Sequence, residues 1–146
     1  MADDPLSFTV EHTMGASPPD VFRAWTEAFD TWFASPGAIR MSPVVGEPYW
    51  FEVIHDGSRH PHYGRFLALE PDRLIEQTWV TGEDGTEGAE TVVGIELDPT
   101  DPGTILRLTH SGFANEESAH RHAEAWPQIL MHLDDVLTSA HSHGVA

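Results

Sequence analysis

The sequence predicts an α+β domain in which an antiparallel meander of strands is covered by one long C-terminal helix. Three observations predict it. Apolar and polar residues alternate near the N-terminus and change to helical spacing after Ser17; the stretch from Ala38 to Ser111 holds only strand-like runs and turns; and from Trp126 onward apolar residues recur with a helical period. A length of 146 residues suits one domain.

Leu6, Phe8 and Val10 alternate with Ser7, Thr9 and Glu11, the pattern of a half-buried strand. Ser17-Pro18-Pro19-Asp20 then offers a capping hydroxyl, prolines where a helix has orphan donors, and an acid in the first turn where the helix dipole favours it. Val21, Phe22, Trp25 and Phe29 share one stripe of a helix predicted from Pro18 to Glu27. A second short helical turn is expected from Asp30 to Phe33, ending near Ser35-Pro36-Gly37.

Six strands are expected next: Ile39 to Val45, closed by Gly46; Pro48 to His55; His60 to Glu70, entered through an Asp56-Gly57 hairpin turn; Leu74 to Thr81, after Pro71-Asp72; Thr91 to Leu97; and Thr104 to His110. Short connections between consecutive strands build an antiparallel sheet. The segment from Gly82 to Gly88 is expected to be a flexible connector, and its Glu83, Asp84 and Glu87 would repel a phosphate. Asn115 is the expected N-cap of the closing helical segment, with Glu116 and Glu117 in its first turn. Pro127 is expected to kink or break that segment, because proline removes a helical hydrogen bond and crowds the preceding turn. Trp126, Ile129, Leu130, Leu133, Val136, Leu137 and Ala140 then form an apolar stripe that needs the sheet as its partner, and His141 to Ala146 reads as a frayed tail.

Composition narrows the function. The chain has 24 acidic residues against 7 basic ones, every basic residue is Arg, and the formal charge is −17. Such a surface repels phosphate backbones and anionic lipids, so no nucleic-acid or membrane partner is expected. Absence of cysteine excludes disulfides, thiolate metal sites and a cysteine nucleophile. The start MADDPLSF has no basic region followed by an apolar core, and no apolar run is long enough to span a bilayer. A soluble cytoplasmic monomer or homodimer is the expectation. Hydrophobic content of 40% excludes a disordered acidic tail.

A curved sheet gripping a helix leaves a cavity wherever the facing side chains do not fill the space. Trp32, Trp50, Phe51, Phe66, Trp79 and Trp126 lie on the elements that would face it. Several segments carry a resemblance: Val21-Phe22-Arg23-Ala24-Trp25-Thr26, Gly46 with Trp50-Phe51, Gly64-Arg65-Phe66 before Leu69-Glu70-Pro71-Asp72-Arg73-Leu74, Thr78-Trp79, Gly103-Thr104 with Leu106-Leu108-Thr109-His110-Ser111-Gly112-Phe113, and Ala125-Trp126. In order and spacing they resemble the START-like (SRPBCC) helix-grip superfamily, and within it the group named for the activator of the 90-kDa heat-shock protein ATPase. The resemblance runs from about Ser7 to Leu137; Ala125 stands where the family often has Gly. It implies a seven-stranded antiparallel sheet wrapped round the C-terminal helix, two short helices after the first strand, and a pocket for apolar ligands. A shared fold does not name an activity.

Among polar residues, His110 follows Leu106 and Leu108 on one face of its strand, where an imidazole can orient a ligand, act as acid or base, or serve structure alone. His55, His60 and His62 flank the hairpin turn; without a carboxylate or thiolate at fixed spacing they are expected to be exposed rather than to hold a metal. His120 and His122 point in different directions on a helix and cannot ligate together. The tryptophans serve core and ligand wall alike, and Leu130 with the adaptable Met131 extends that wall. No nucleophile elbow, phosphate loop or paired-carboxylate motif occurs, and the faces taken by Glu52 and Glu76 are open. The expected function is binding of a small hydrophobic or aromatic ligand by Trp32, Trp50, Phe51, Phe66, Trp79, His110, Trp126, Leu130 and Met131, with no cofactor or metal. The alternatives are a co-chaperone-like module acting on a chaperone or other protein, and a cyclase, dehydratase or hydrolase acting on an aromatic metabolite through His110 or a buried Glu.

Overall fold

The computed structural model describes residues 6–55, 57–82, 85–101 and 103–145, the side chains of His55 and of residues 140–145 excepted. The strands are β1 (Ser7–Met14), β2 (Ile39–Arg40), β3 (Pro48–His55), β4 (Ser58–Glu70), β5 (Leu74–Trp79), β6 (Thr91–Pro99) and β7 (Thr104–Ser111). They form one antiparallel sheet in the order β1-β7-β6-β5-β4-β3-β2. The meander runs from β2 to β7, and β1 closes onto β7.

β2 is shorter than the run from Ile39 to Val45 suggests. Only Ile39 and Arg40 pair, with Phe51 and Trp50. Pro43 cannot donate to a ladder, and Val44 and Val45 are 50% and 54% exposed, so after Met41, which packs against the core, the run leaves the sheet. The Asp56 half of the hairpin turn lies outside the described residues, while Gly57 takes the left-handed conformation at φ 77°. In β4 the register shifts between Phe66 and Ala68, a bulge that bends the strand.

Helix α1 spans Pro18–Thr26, and a single 3-10 turn follows at Phe29–Thr31. Ser17 stands at the N-cap in an extended conformation, but its hydroxyl makes no cap bond; its carbonyl instead accepts from Val21 N at 3.0 Å. Helix α2 spans Glu116–Val145 and opens on Asn115, whose Oδ1 accepts from Ser118 N at 2.8 Å.

Of the kink or break expected at Pro127, the break does not occur: α2 continues through it. Pro127 is exposed, so its ring faces away from the core and crowds no packed side chain. The helix also continues to Val145 through the segment expected to fray; Ala146 lies outside the described residues.

The core is the concave face of the sheet against α1 and α2. Thr104, Leu106, Leu108 and His110 of β7 are all fully buried, as strand alternation requires, and so are Val93 and Ile95 of β6. From α2, Trp126, Leu130 and Leu133 close over them. Asp134 fastens the helix to the β1 edge: its Oδ1 accepts from Gly15 N at 3.0 Å and its Oδ2 pairs with His12 Nε2 at 3.2 Å. With α2 held at that edge, its N-terminal half stands over the opposite side of the sheet, where β3 and β4 curve round.

Candidate ligand-binding pocket

Between that half of α2 and the β3–β4 hairpin lies a cavity of about 770 Å³. The hairpin register builds its sheet wall: Phe51 pairs with His62 and Val53 with His60, so alternation sends all four side chains to the concave side. The helix wall comes from His122, Ala125, Trp126, Ile129 and His132, spaced by three or four residues along one face of α2. Trp32 and Phe33, from the segment after the 3-10 turn, and Trp79 from the end of β5 complete an aromatic floor. Exposed Arg59, Ala125, Gln128 and His132 mark the mouth.

The floor is a continuous ring assembly. Phe33 meets Trp79 edge-on at 5.5 Å between centroids, Trp79 lies 5.5 Å from Trp126, and Phe33 lies 6.0 Å from Trp126. His62 stacks on Phe51 at 4.5 Å. Aromatic contacts of this kind fix ring orientation and leave an apolar wall. Trp32 donates its indole N–H to Ala24 O at 2.8 Å, which locks the connection between α1 and the floor.

Behind the floor a polar chain is fully buried. Trp126 donates to His110 Nδ1 at 3.0 Å, His110 Nε2 meets Thr91 Oγ1 at 2.8 Å, and Thr91 donates to the Trp79 carbonyl at 2.5 Å. Burial, with His122 adding to it, lowers the His110 pKa to about 2, so the ring is neutral across the physiological range. Both of its nitrogens are committed, and His110 holds Trp79 and Trp126 in place from behind without lining the cavity.

Thr81, Gly82 and Gly85 form one lip, and the described ends of this loop are hydrogen-bonded to each other and to α2. Thr81 N donates to Thr86 Oγ1 at 2.8 Å and Thr86 N to Thr81 Oγ1 at 2.7 Å. Gly85 O accepts from Ser118 Oγ at 2.7 Å and from Arg121 at 3.2 Å, which docks the loop on α2. These hydroxyl bonds are invisible to a reading that counts glycines. Glu83 and Asp84 lie outside the described residues.

Of the residues expected to line a pocket, the structure brings together Trp32, Trp79 and Trp126. Phe51, Phe66 and Leu130 are fully buried in the core beneath it, as is His110. Trp50 alternates with Phe51 and pairs with Tyr63 and Arg40, which puts it on the outer face of β3. Met131 is 57% exposed, one residue past the buried Leu130 on α2. His60 and His62, expected to be exposed, are half-buried in the wall, and His122 joins them although its neighbour His120 faces solvent. The hairpin register and the spacing of His122, Trp126 and Ile129 carried that signal.

Glu52 pairs with Arg59 at 2.8 Å, so the Arg59 charge is already matched, and Glu76 alternates with the buried Ile75 and Gln77 and takes the outer face. Among the described residues no group of three His, Asp or Glu side chains has the geometry to hold a metal. No helix among them is long and apolar enough to cross a membrane.

A long helix gripped by a seven-stranded antiparallel sheet, with an aromatic cavity between them, defines a START-like helix-grip domain. The family model described as Activator of Hsp90 ATPase homolog 1-like protein matches residues 15–138, and the chain belongs to that family. No curated protein matches it. A protein of Mesorhizobium loti is 26% identical, with a TM-score of 0.76 over 91% of this chain and 97% of that one. An HSP90 activator from Plasmodium falciparum is 22% identical, with a TM-score of 0.69 over 92% and 96%. A dimer from Colwellia psychrerythraea is 21% identical, with a TM-score of 0.65 over 90% and 95%.

Proposed function

We propose that this protein binds a small apolar, aromatic-rich molecule in the cavity between the β3–β4 hairpin and α2. The observation that carries the reading is the cavity itself: about 770 Å³ with Trp32, Phe33, Trp79 and Trp126 on its walls. Sites for small ligands typically enclose about 300–1,000 Å³ with mainly apolar linings and few polar groups. The floor is fixed in advance by the Trp126–His110–Thr91 chain and by Trp32's bond to Ala24. Such preorganisation lowers the entropy lost on binding. Native mass spectrometry of protein purified from its own host, with titration of the neutral fluorophore N-phenyl-1-naphthylamine, tests the reading. A retained small molecule that the fluorophore displaces supports it; an empty protein that also leaves the fluorophore dark overturns it.

The family match favours a second reading, action on a chaperone ATPase, because one relative of the same fold is named an HSP90 activator. Measuring the ATPase rate of the host's own chaperone with and without the purified chain tests it. An unchanged rate at saturating protein removes it.

A further inference from the structure

The two half-buried imidazoles of the pocket wall share a bonding pattern. His62 Nδ1 lies 3.0 Å from the His60 carbonyl, and His122 Nδ1 lies 2.8 Å from the Ser118 carbonyl. A carbonyl oxygen only accepts, so in each ring Nδ1 carries the proton. A neutral imidazole has one N–H, and each Nε2 is therefore a bare lone pair. Neither Nε2 has a hydrogen-bond partner among the described residues, and neither is among the fully enclosed polar atoms. Both rings line the cavity.

Their surroundings keep them neutral. Burial is the main cause in both: it lowers the His62 pKa to about 4, with His122 and His60 adding and the bond to the His60 carbonyl opposing. His122 is also lowered, with Arg121 adding and the Ser118 carbonyl opposing. The cavity thus offers acceptors set in an aromatic wall, and the described lining contains no carboxylate. A ligand carboxylate would face two lone pairs. An ammonium group would find no counter-ion among the described lining residues. A neutral hydroxyl on an aromatic ring suits both features, because it supplies the missing donor and stacks against the tryptophans.

We propose that the ligand is a phenol, its aromatic ring seated among Trp32, Trp79 and Trp126 and its hydroxyl donating to Nε2 of His62 or His122. The proposal rests on the reading that the cavity takes an apolar small molecule, and its test separates the two. Calorimetric titration at pH 7.5 with 2-naphthol, 2-methoxynaphthalene and 2-naphthoate varies one group on one ring system. 2-Naphthol should bind about tenfold tighter than 2-methoxynaphthalene, the equivalent of one hydrogen bond made rather than left open, and 2-naphthoate should bind weakest.

Nitrogen-15 shifts of the histidine side chains give a readout that a purely structural role would not move. Both rings should report the Nδ1–H tautomer, and Nε2 of at least one should shift on adding 2-naphthol but not 2-methoxynaphthalene. His62→Phe and His122→Phe together should bring the two affinities to parity. Equal binding of 2-naphthol and 2-methoxynaphthalene overturns the phenol inference and leaves the apolar pocket standing. Tightest binding by 2-naphthoate overturns it in favour of an anion, and failure of all three probes to bind overturns both readings.

Discussion

Trp126 donates its indole N–H to Nδ1 of His110 at 3.0 Å, and that bond fixes every proton in the buried chain behind the pocket. With Nδ1 accepting, the neutral ring carries its proton on Nε2, which donates to Thr91 Oγ1; Thr91 then donates to the Trp79 carbonyl. All groups in the chain are satisfied, and two of the cavity's three tryptophans, Trp79 and Trp126, are tied to one histidine. His110→Leu strands the indole N–H and leaves the Thr91 hydroxyl with only its bond to the Trp79 carbonyl, and about 1–3 kcal/mol of stability should be lost in urea unfolding. Combined with Trp126→Phe, the losses should fall short of additive by about 1 kcal/mol or more, since the pair is broken once. Strictly additive losses would show that the bond contributes nothing.

Acid should unfold this protein through its buried histidines. The folded-state pKa is about 2 for His110 and about 4 for His62, both below the ordinary value of 6.5. Below pH 6.5 the unfolded chain binds protons that the folded chain refuses, so stability falls as pH falls through that window toward each folded pKa. It does not change on this account above pH 7. Each such histidine contributes a slope of about 1.4 kcal/mol per pH unit, so the two together should give roughly 2–3 kcal/mol per unit between pH 6 and pH 4.5. Urea midpoints across that range measure the slope, and His62→Phe should reduce it by about half. A flat profile from pH 7 to pH 5 would contradict the burial of both rings.

Periodicity made the fold legible and left the cavity only partly so. Alternation in Leu106, Leu108 and His110 located a concave face, and all three are buried there. The order of the remaining strands followed from short connections alone. Two features resisted that reading for local reasons. A kink or break is expected at Pro127, yet α2 continues through it with the proline on the exposed face, where its ring meets no packed neighbour. The loop after Thr81 reads as a flexible connector from its glycines, and the reciprocal Thr81–Thr86 bonds and the docking of Gly85 on α2 at its described ends come from hydroxyls that such a reading does not count. At the cavity, counting aromatics found Trp32, Trp79 and Trp126 and missed His62 and His122. Those two become visible only through register, with His62 opposite Phe51 and His122 one helical turn before Trp126.

Gly85 and Gly82 lie on the same lip and should respond oppositely to alanine. A Cβ at Gly85 would sit 1.8 Å from Thr81 Oγ1, an atom already fixed by its 2.7 Å bond from Thr86 N, whereas a Cβ at Gly82 meets nothing within 4 Å. Gly85→Ala must therefore break the reciprocal threonine pair and lift the lip from Ser118 and Arg121. A loss of about 2–3 kcal/mol is expected, with faster amide exchange from Thr81 to Gly88. Gly82→Ala should stay within about 0.5 kcal/mol of the parent. Equal effects of the two changes would mean that the lip is not held by Thr81.

Ile129 offers a way to close the cavity without disturbing the core. It is half-buried on the pocket side of α2, three residues after Trp126 and one before the fully buried Leu130. In a packed interior an added indole would force strained rotamers, a penalty of about 1–3 kcal/mol. Here the cavity of about 770 Å³ lies directly beside the side chain and has room for it. Ile129→Trp should leave the urea midpoint within about 1 kcal/mol of the parent while weakening N-phenyl-1-naphthylamine by tenfold or more. Met131→Trp, on the solvent side of the same helix, should change neither. If the fluorophore binds Ile129→Trp as tightly as the parent, its site lies elsewhere on the molecule, and the cavity beside α2 loses its claim as the ligand site.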